Sequence, residues 1–175
     1  MPRVKTDRVL IALLVVCLGL LGWAIAGAFR ENVVVAGDTA PHFAITTDSG
    51  RTITPRDFGG KLLVLHFWAS WCPPCVVEMP SLNQFQREFA GAGVVVLGVS
   101  VDHNPRAYQA FLRRMGVSFL TARDPEARIS SQYGAYQYPE TFIINREGKV
   151  VEKIISNTDW MDPERLNVIR ALLSS

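Results

Sequence analysis

The first hydrophobic feature of the chain is one long apolar run near its amino terminus. Residues 9–29 contain 21 positions without a charge, and a helix of that length spans a bilayer at about 1.5 Å per residue. Basic residues at positions 3, 5 and 8 precede the run, and an excess of positive charge marks the cytoplasmic side of a membrane span. We therefore expect a cytoplasmic amino terminus over residues 1–8 and a transmembrane anchor over residues 9–29. The alternative is a cleaved signal peptide ending near Ala24-Ile25-Ala26, but the apolar region exceeds the usual length of such peptides.

Beyond a linker over residues 30–37, apolar positions alternate between strand-like and helix-like spacing. Residues 61–68 and 94–101 form nearly continuous apolar runs, which are typical of central strands covered on both faces. Apolar residues between Cys75 and Phe89 recur every three or four positions, which predicts a helix with a kink at Pro80. The other predicted elements are a hairpin over 43–53, a helical turn over 54–58, helices over 106–115, 124–133 and 162–173, and strands over 119–122, 141–145 and 149–155.

This order of elements predicts one α/β domain over residues 38–175. Strands that alternate with helices and end in an antiparallel hairpin give a mixed central sheet with helices on both faces, here with an N-terminal β-hairpin extension. Right-handed crossovers place the carboxyl end of the strand that ends at Trp68 at the upper rim of the sheet.

Charge separates the amino terminus from the rest of the chain. The formal net charge is +2, and residues 1–8 carry all of it, so the remainder has as many basic as acidic residues. A neutral domain lacks the basic footprint that phosphate binding requires, so we expect no nucleic-acid partner.

The chemistry of the domain centres on Cys72 and Cys75, which lie where an apolar strand gives way to a helix. Two cysteines with this spacing can form a disulfide, and Cys72, at the helix start, faces unpaired backbone N–H groups that stabilise a thiolate. Pro73 and Pro74 lack N–H groups that the first helical turn leaves unpaired in any case. A zinc half-site is the alternative, but no second CxxC or CxxH follows. A structural disulfide over so short a loop would gain little stability, so a redox-active pair is favoured.

Three motifs at matching separations now resemble a known family. Trp71-Cys72-Pro73-Pro74-Cys75, then Pro80, then Tyr138-Pro139-Glu140-Thr141-Phe142 before the closing hairpin are similar to thioredoxin, and more closely to its membrane-anchored extracytoplasmic TlpA/ResA/CcmG (DsbE) branch. The resemblance covers residues 38–175 and implies a thioredoxin fold. It also implies that Pro139 is a cis-proline beside the cysteines and that Trp71, Pro73, Pro74 and Tyr138 line the substrate groove.

Two further residues are candidates for proton transfer. Glu78 shares a helical stripe with Leu82 and Phe85, so its carboxyl is expected to face the core, where burial raises the pKa of an acid and suits it to exchange a proton with Cys75. A surface glutamate is the alternative. The resemblance departs at His66, where thioredoxin has a buried aspartate; His66 is either a proton relay beneath the cysteines or a hydrogen-bonded core residue.

The resemblance implies a membrane-anchored thiol-disulfide oxidoreductase that faces the periplasm. It would reduce disulfides of client proteins, such as apocytochrome c or copper-site proteins, with electrons from a membrane protein of the DsbD/CcdA type. We expect no metal and no cofactor besides the Cys72–Cys75 disulfide. The alternatives are a thiol peroxidase of the peroxiredoxin type, whose expected threonine or serine and proline are replaced by Ala69 and Leu65, and a Sco-like copper chaperone with His103 as a distal ligand.

Overall fold

The computed structural model describes residues 11, 13–23 and 33–174 and divides the chain into two compact units, residues 1–32 and 33–175. In the first unit, residues 13–23 are helical and their apolar side chains are exposed. Within the described part of the chain, no helix is both long enough and apolar enough to cross a bilayer. The predicted cytoplasmic segment 1–8 and residues 9, 10, 12 and 24–29 of the predicted anchor lie outside the described residues.

The second unit contains a five-stranded sheet, a two-stranded hairpin and four helices among its described residues. In chain order the elements are β1 (Ile45–Thr46), β2 (Thr52–Ile53), a 3₁₀ turn (Pro55–Phe58), β3 (Leu62–Trp68), α1 (Pro73–Phe89), a second 3₁₀ turn (Ala90–Ala92), β4 (Val94–Ser100), α2 (Pro105–Met115), β5 (Leu120–Arg123), α3 (Arg128–Gln132), β6 (Glu140–Ile144), β7 (Val150–Ile155) and α4 (Pro163–Ser174).

The large sheet is mixed, with strand order β5-β4-β3-β6-β7. Strand β3 pairs in parallel with β4, from Leu62↔Val94 to Trp68↔Ser100, and β4 pairs in parallel with β5. On its other side β3 pairs antiparallel with β6, which continues antiparallel into β7. The mixed sheet predicted from the order of elements is therefore confirmed. The separate β1–β2 pair is the predicted N-terminal hairpin.

The two faces of the sheet are covered differently. On β3, the side chains of Leu62, Val64 and Trp68 pack into one buried cluster with residues of α1, α2 and α4. The alternate side chains Leu63 and Leu65 pack into a second cluster with the hairpin, the first 3₁₀ turn and α3. Both crossovers, β3 to β4 and β4 to β5, step in the same direction, so right-handed connections place α1 and α2 on the same face.

Two local features differ from the expectations. The segment 33–37 contacts the domain: Val34 is buried, its N–H donates to the Tyr133 carbonyl, and the Gly37 N–H donates to the Val150 carbonyl. The helix expected from Asp124 begins only at Arg128. The reason is that the Asp124 carboxylate accepts the N–H groups of Arg128 and Ile129, which makes it a cap rather than a helical residue.

Candidate active site

The two cysteines form a buried disulfide at the start of α1. Their sulfur atoms are bonded and their Cα atoms lie 5.3 Å apart. Cys72 is the N-cap residue of α1, and its Sγ accepts the N–H of Cys75 at 3.3 Å. The Cys72 side chain is 4% exposed and that of Cys75 is 0% exposed, so Cys72 is the sulfur nearer the surface. The backbone N–H that holds a disulfide sulfur here would also stabilise a thiolate at the same position.

The turn that carries the cysteines is held by Asp102, a residue that the sequence analysis missed. Its buried carboxylate accepts the N–H of Ser70 at 2.9 Å, the Ser70 hydroxyl at 2.7 Å and the Ser100 hydroxyl at 2.6 Å. These bonds join the end of β4 to the segment between β3 and α1. The available signal was an aspartate directly after a buried parallel strand, at the edge where the carboxyl ends of neighbouring strands meet.

The loop before β6 lies against the disulfide. The Tyr138–Pro139 peptide bond is cis, as the resemblance implies. The carbonyl oxygen of Tyr138 is 3.3 Å from the Sγ of Cys72, and the Pro139 carbonyl accepts the N–H of Ser156. The structure therefore brings Cys72, Tyr138 and Pro139 together.

Exposed side chains surround the buried sulfurs. Trp71 is 64% exposed and makes an edge-to-face contact with Tyr138, with 6.3 Å between the ring centroids. Pro73 is exposed and Pro74 is half-buried at the start of α1. This arrangement is a rim of apolar surface around a recessed disulfide, which is a shape that an extended peptide could contact.

Glu78 is buried in the helix face that the apolar stripe predicted, with only 2% of its surface exposed. Its Oε1 accepts the indole N–H of Trp160 at 2.5 Å. Burial raises the pKa of Glu78 from 4.5 to about 7, although the Trp160 hydrogen bond, the backbone amide of Thr158 and the charge of Arg165 all act in the opposite direction. A carboxyl with this pKa can both accept and release a proton near neutral pH.

A small cleft lies beside Glu78. Its volume is about 260 Å³, and residues of α1 and of the loop before α4 line it: Val77, Glu78, Pro80, Ser81, Asn157, Thr158 and Asp159. The cleft therefore offers a route by which the Glu78 carboxyl can exchange its proton with solvent.

His66 is fully buried in β3, on the sheet face that packs against α1. Its Nδ1 lies 2.8 Å from the Thr141 hydroxyl, and its Nε2 has no hydrogen-bond partner among the described residues. Burial lowers the pKa of His66 from 6.5 to about 3, so the ring is neutral at physiological pH. Its hydrogen bond goes to Thr141 rather than to a cysteine, which is the geometry of a core histidine.

Among residues 11, 13–23 and 33–174, no three His, Cys, Asp or Glu side chains are grouped closely enough to hold a metal ion. His103 is exposed in the loop before α2, and its backbone carbonyl accepts a hydrogen bond from Arg123.

The sequence of the chain is similar to those of known proteins. Residues 36–153 match the AhpC/TSA family. The chain belongs to this family. It is 33% identical over 156 residues to the thiol-disulfide oxidoreductase ResA of Bacillus thuringiensis, covering 86% of this chain and 90% of that protein. It is 31% identical over 161 residues to ResA of Bacillus subtilis, with 90% of each chain covered.

Solved structures agree with this assignment. A crystal structure described as a thiol:disulfide interchange protein DsbE from Chlorobium tepidum is 31% identical and has a TM-score of 0.74, covering 80% of this chain and 99% of that one. A secreted Mycobacterium tuberculosis disulfide oxidoreductase is 27% identical, with a TM-score of 0.63 and coverage of 74% and 94%. The resemblance to the TlpA/ResA/CcmG branch is therefore confirmed, and this AhpC/TSA family member is a thiol-disulfide oxidoreductase.

Proposed function

We propose that the protein reduces disulfides of extracytoplasmic client proteins by dithiol exchange through Cys72 and Cys75. The observation that carries the proposal is the position of Cys72. Its Sγ caps α1, accepts the N–H of Cys75 and lies 3.3 Å from the Tyr138 carbonyl, at the base of an exposed rim. A client strand that pairs beside Tyr138 would bring its disulfide to this sulfur.

The proposed reaction has two exchange steps. The Cys72 thiolate attacks one sulfur of the client disulfide, so a Cys72–client S–S bond forms and the second client sulfur leaves as a thiolate that takes up a proton. Cys75 then loses its proton to the Glu78 carboxylate and attacks the Cys72 sulfur. The client thiolate leaves and is protonated, and the Cys72–Cys75 disulfide forms. The client gains two electrons and two protons, and the enzyme dithiol loses them.

Glu78 is the proposed proton acceptor in the second step. It follows Cys75 by three residues on the same helix face, and its pKa of about 7 keeps an appreciable carboxylate fraction at neutral pH. His66 is the weaker candidate relay. Because burial lowers its pKa to about 3, the His66 ring does not take up a second proton near neutral pH. Its hydrogen bond goes to Thr141 rather than to a cysteine.

We further propose that the domain is anchored by residues 9–29 and faces the periplasm. The uncharged 21-residue run with basic residues before it supports this arrangement, as does the extracytoplasmic branch that the motifs resemble. A dithiol outside the cytoplasm needs electrons from across the membrane, and a donor of the DsbD/CcdA type would supply them. Apocytochrome c and copper-site proteins are the proposed clients, which would give the protein a role in cytochrome c biogenesis.

Trapping of the mixed disulfide tests the proposal. The Cys75→Ser variant cannot resolve the Cys72–client bond, so a covalent complex should accumulate in cells, be released by reductant and be identified by mass spectrometry. The Cys72→Ser variant is the matched control and should trap little or nothing.

Three results would contradict the proposal. The first is equal trapping by both variants, or none by either. The second is rapid oxidation of the thiol by hydrogen peroxide without any protein client, which would favour the peroxidase. The third is stoichiometric copper binding that is lost on His103→Ala, which would favour the chaperone.

A further inference from the structure

Trp160 connects the loop before α4 to one turn of α1 through two hydrogen bonds. Its indole Nε1–H donates to Oε1 of Glu78 at 2.5 Å, and its backbone N–H donates to the Ser81 hydroxyl at 3.2 Å. The Ser81 hydroxyl in turn donates to the Glu78 backbone carbonyl at 3.0 Å. The Trp160 ring is fully buried and packs against Phe85, with 5.2 Å between centroids. Trp160 therefore contacts Glu78, Ser81 and Phe85, which follow one another along α1.

The two oxygens of the Glu78 carboxyl are not equivalent. An indole N–H can only donate, so the oxygen that it faces must act as an acceptor in either protonation state. The backbone N–H of Thr158 also acts on the carboxyl and favours its charged form. By geometry, Oε2 has no hydrogen-bond partner among the described residues, so it is the oxygen with room to carry a proton.

We propose that Trp160 is a positioning residue for thiol-disulfide exchange, whose indole N–H occupies Oε1 of Glu78 and so leaves Oε2 as the atom that exchanges a proton with Cys75. This rests on the proposed role of Glu78 in the second exchange step. In that step the Cys75 S–H bond breaks, an O–H bond forms at Oε2, and the electron pair left on sulfur forms the bond to Cys72. The Cys72–client S–S bond breaks at the same time, and the client sulfur leaves as a thiolate that takes up a proton. The Glu78 proton returns to solvent through the cleft beside Glu78.

The other charged groups around Glu78 come from three elements. Arg165 of α4 acts on the carboxyl, and it is itself paired with Glu152 of β7 at 2.5 Å. Asp159, from the loop that carries Trp160, lines the same cleft as Glu78. His66 of β3, on the sheet face below α1, is neutral near pH 7. The indole is the donor that binds the carboxyl most directly, so its removal should have the largest effect on proton transfer.

Kinetics of the reduced full-length protein with the small disulfide 5,5′-dithiobis(2-nitrobenzoate) test the proposal. The first thiolate released reports attack by Cys72, and the second reports resolution by Cys75. Trp160→Phe keeps an aromatic ring beside Phe85 but removes the donor that favours the carboxylate. We expect the pH midpoint of the second release to rise by about one pH unit, with about a fivefold slower rate at pH 7, and the first release to be unchanged.

Trp68→Phe is the matched control. Trp68 is also fully buried, and its Nε1 has no hydrogen-bond partner among the described residues, so the same atoms are deleted without loss of a bond to Glu78. This variant should leave the midpoint where it is. In a Glu78→Gln background, Trp160→Phe should cause no further shift. An unchanged midpoint in Trp160→Phe, or an equal shift in the Glu78→Gln background, would overturn the proposal.

A measurement on the unaltered side chain does not depend on whether Trp160→Phe folds. The indole ¹H–¹⁵N resonance of Trp160 in the oxidised protein should titrate with a midpoint near pH 7, and Glu78→Gln should abolish that titration. A resonance that stays constant between pH 5 and 9 would overturn the proposed role of Trp160. It would not contradict the proposed function, because this titration involves no client. Failure of Cys75→Ser to trap a client would instead contradict the proposed function.

Discussion

The buried carboxyl of Glu78 makes the stability of the domain depend on pH. Its pKa is about 7 in the folded protein and 4.5 when solvated, so the folded state holds the proton more tightly than the unfolded state does. The stabilisation from the protonated form is fully present below pH 4.5 and is lost as pH rises through 7. At about 1.4 kcal/mol for each pKa unit, the loss amounts to about 3 kcal/mol.

Glu78→Gln removes this dependence because glutamine is neutral at every pH and its amide oxygen can still accept the Trp160 indole N–H. The free energy of unfolding of Glu78→Gln minus that of the wild type should therefore grow by about 3 kcal/mol between pH 4 and pH 8. Guanidinium chloride unfolding of both oxidised proteins at a series of pH values measures this difference.

Glu88→Gln is the control for this measurement, because Glu88 is an exposed glutamate of the same helix, 3.9 Å from Arg170. Its difference from the wild type should stay within about 0.5 kcal/mol at every pH. A flat difference for Glu78→Gln over the same range would refute the reasoning, since it would mean that the folded protein does not hold the Glu78 proton more tightly than the unfolded chain.

Two further predictions follow from other buried polar groups. His66 has a folded pKa of about 3 against 6.5, so its contribution to stability is present above pH 6.5 and is lost as pH falls toward 3. His66→Asn should therefore lose less stability than the wild type between pH 6.5 and 4 in urea unfolding, and an identical acid dependence would contradict this. Asp102→Ala leaves the Ser70 N–H and the hydroxyls of Ser70 and Ser100 without their acceptor. We expect it to destabilise the domain by about 3 kcal/mol, measured by thermal unfolding, and a loss below about 1 kcal/mol would show that water replaces the carboxylate.

Local patterns in the sequence were sufficient for most elements of the domain. The continuous apolar runs became β3 and β4, and Asn104 followed by Pro105 marks the start of α2, where the Asn104 side chain accepts the N–H groups of Arg106 and Ala107. Pro80 lies inside α1, which continues in phase to Phe89. These features depend on neighbours within one or two turns, so spacing along the chain reports them directly.

Local patterns failed where a side chain had a partner that the spacing does not reveal. Asp124-Pro125 has the composition of a helix start, but the Asp124 carboxylate caps a helix that begins four residues later. Asp102 follows a buried strand, and nothing in the local spacing predicts that its carboxylate holds the turn before Cys72. The donors of Asp102 include the N–H and hydroxyl of Ser70, 32 residues away, and these are recognisable only once the strands are arranged side by side. The donors of Asp124 are only four and five residues away, in a helix that begins later than the local composition indicates.

The sequence by itself determined the CxxC pair at a strand–helix turn, the helical stripe that turns Glu78 inward and the continuous apolar run that buries His66. Only the tertiary structure decided their partners. Trp160 reaches Glu78 from 82 residues away, and Thr141 reaches His66 from 75 residues away. The physical reason is that hydrophobic periodicity specifies which face of an element is buried, whereas the order of strands and the direction of crossovers decide what that face meets.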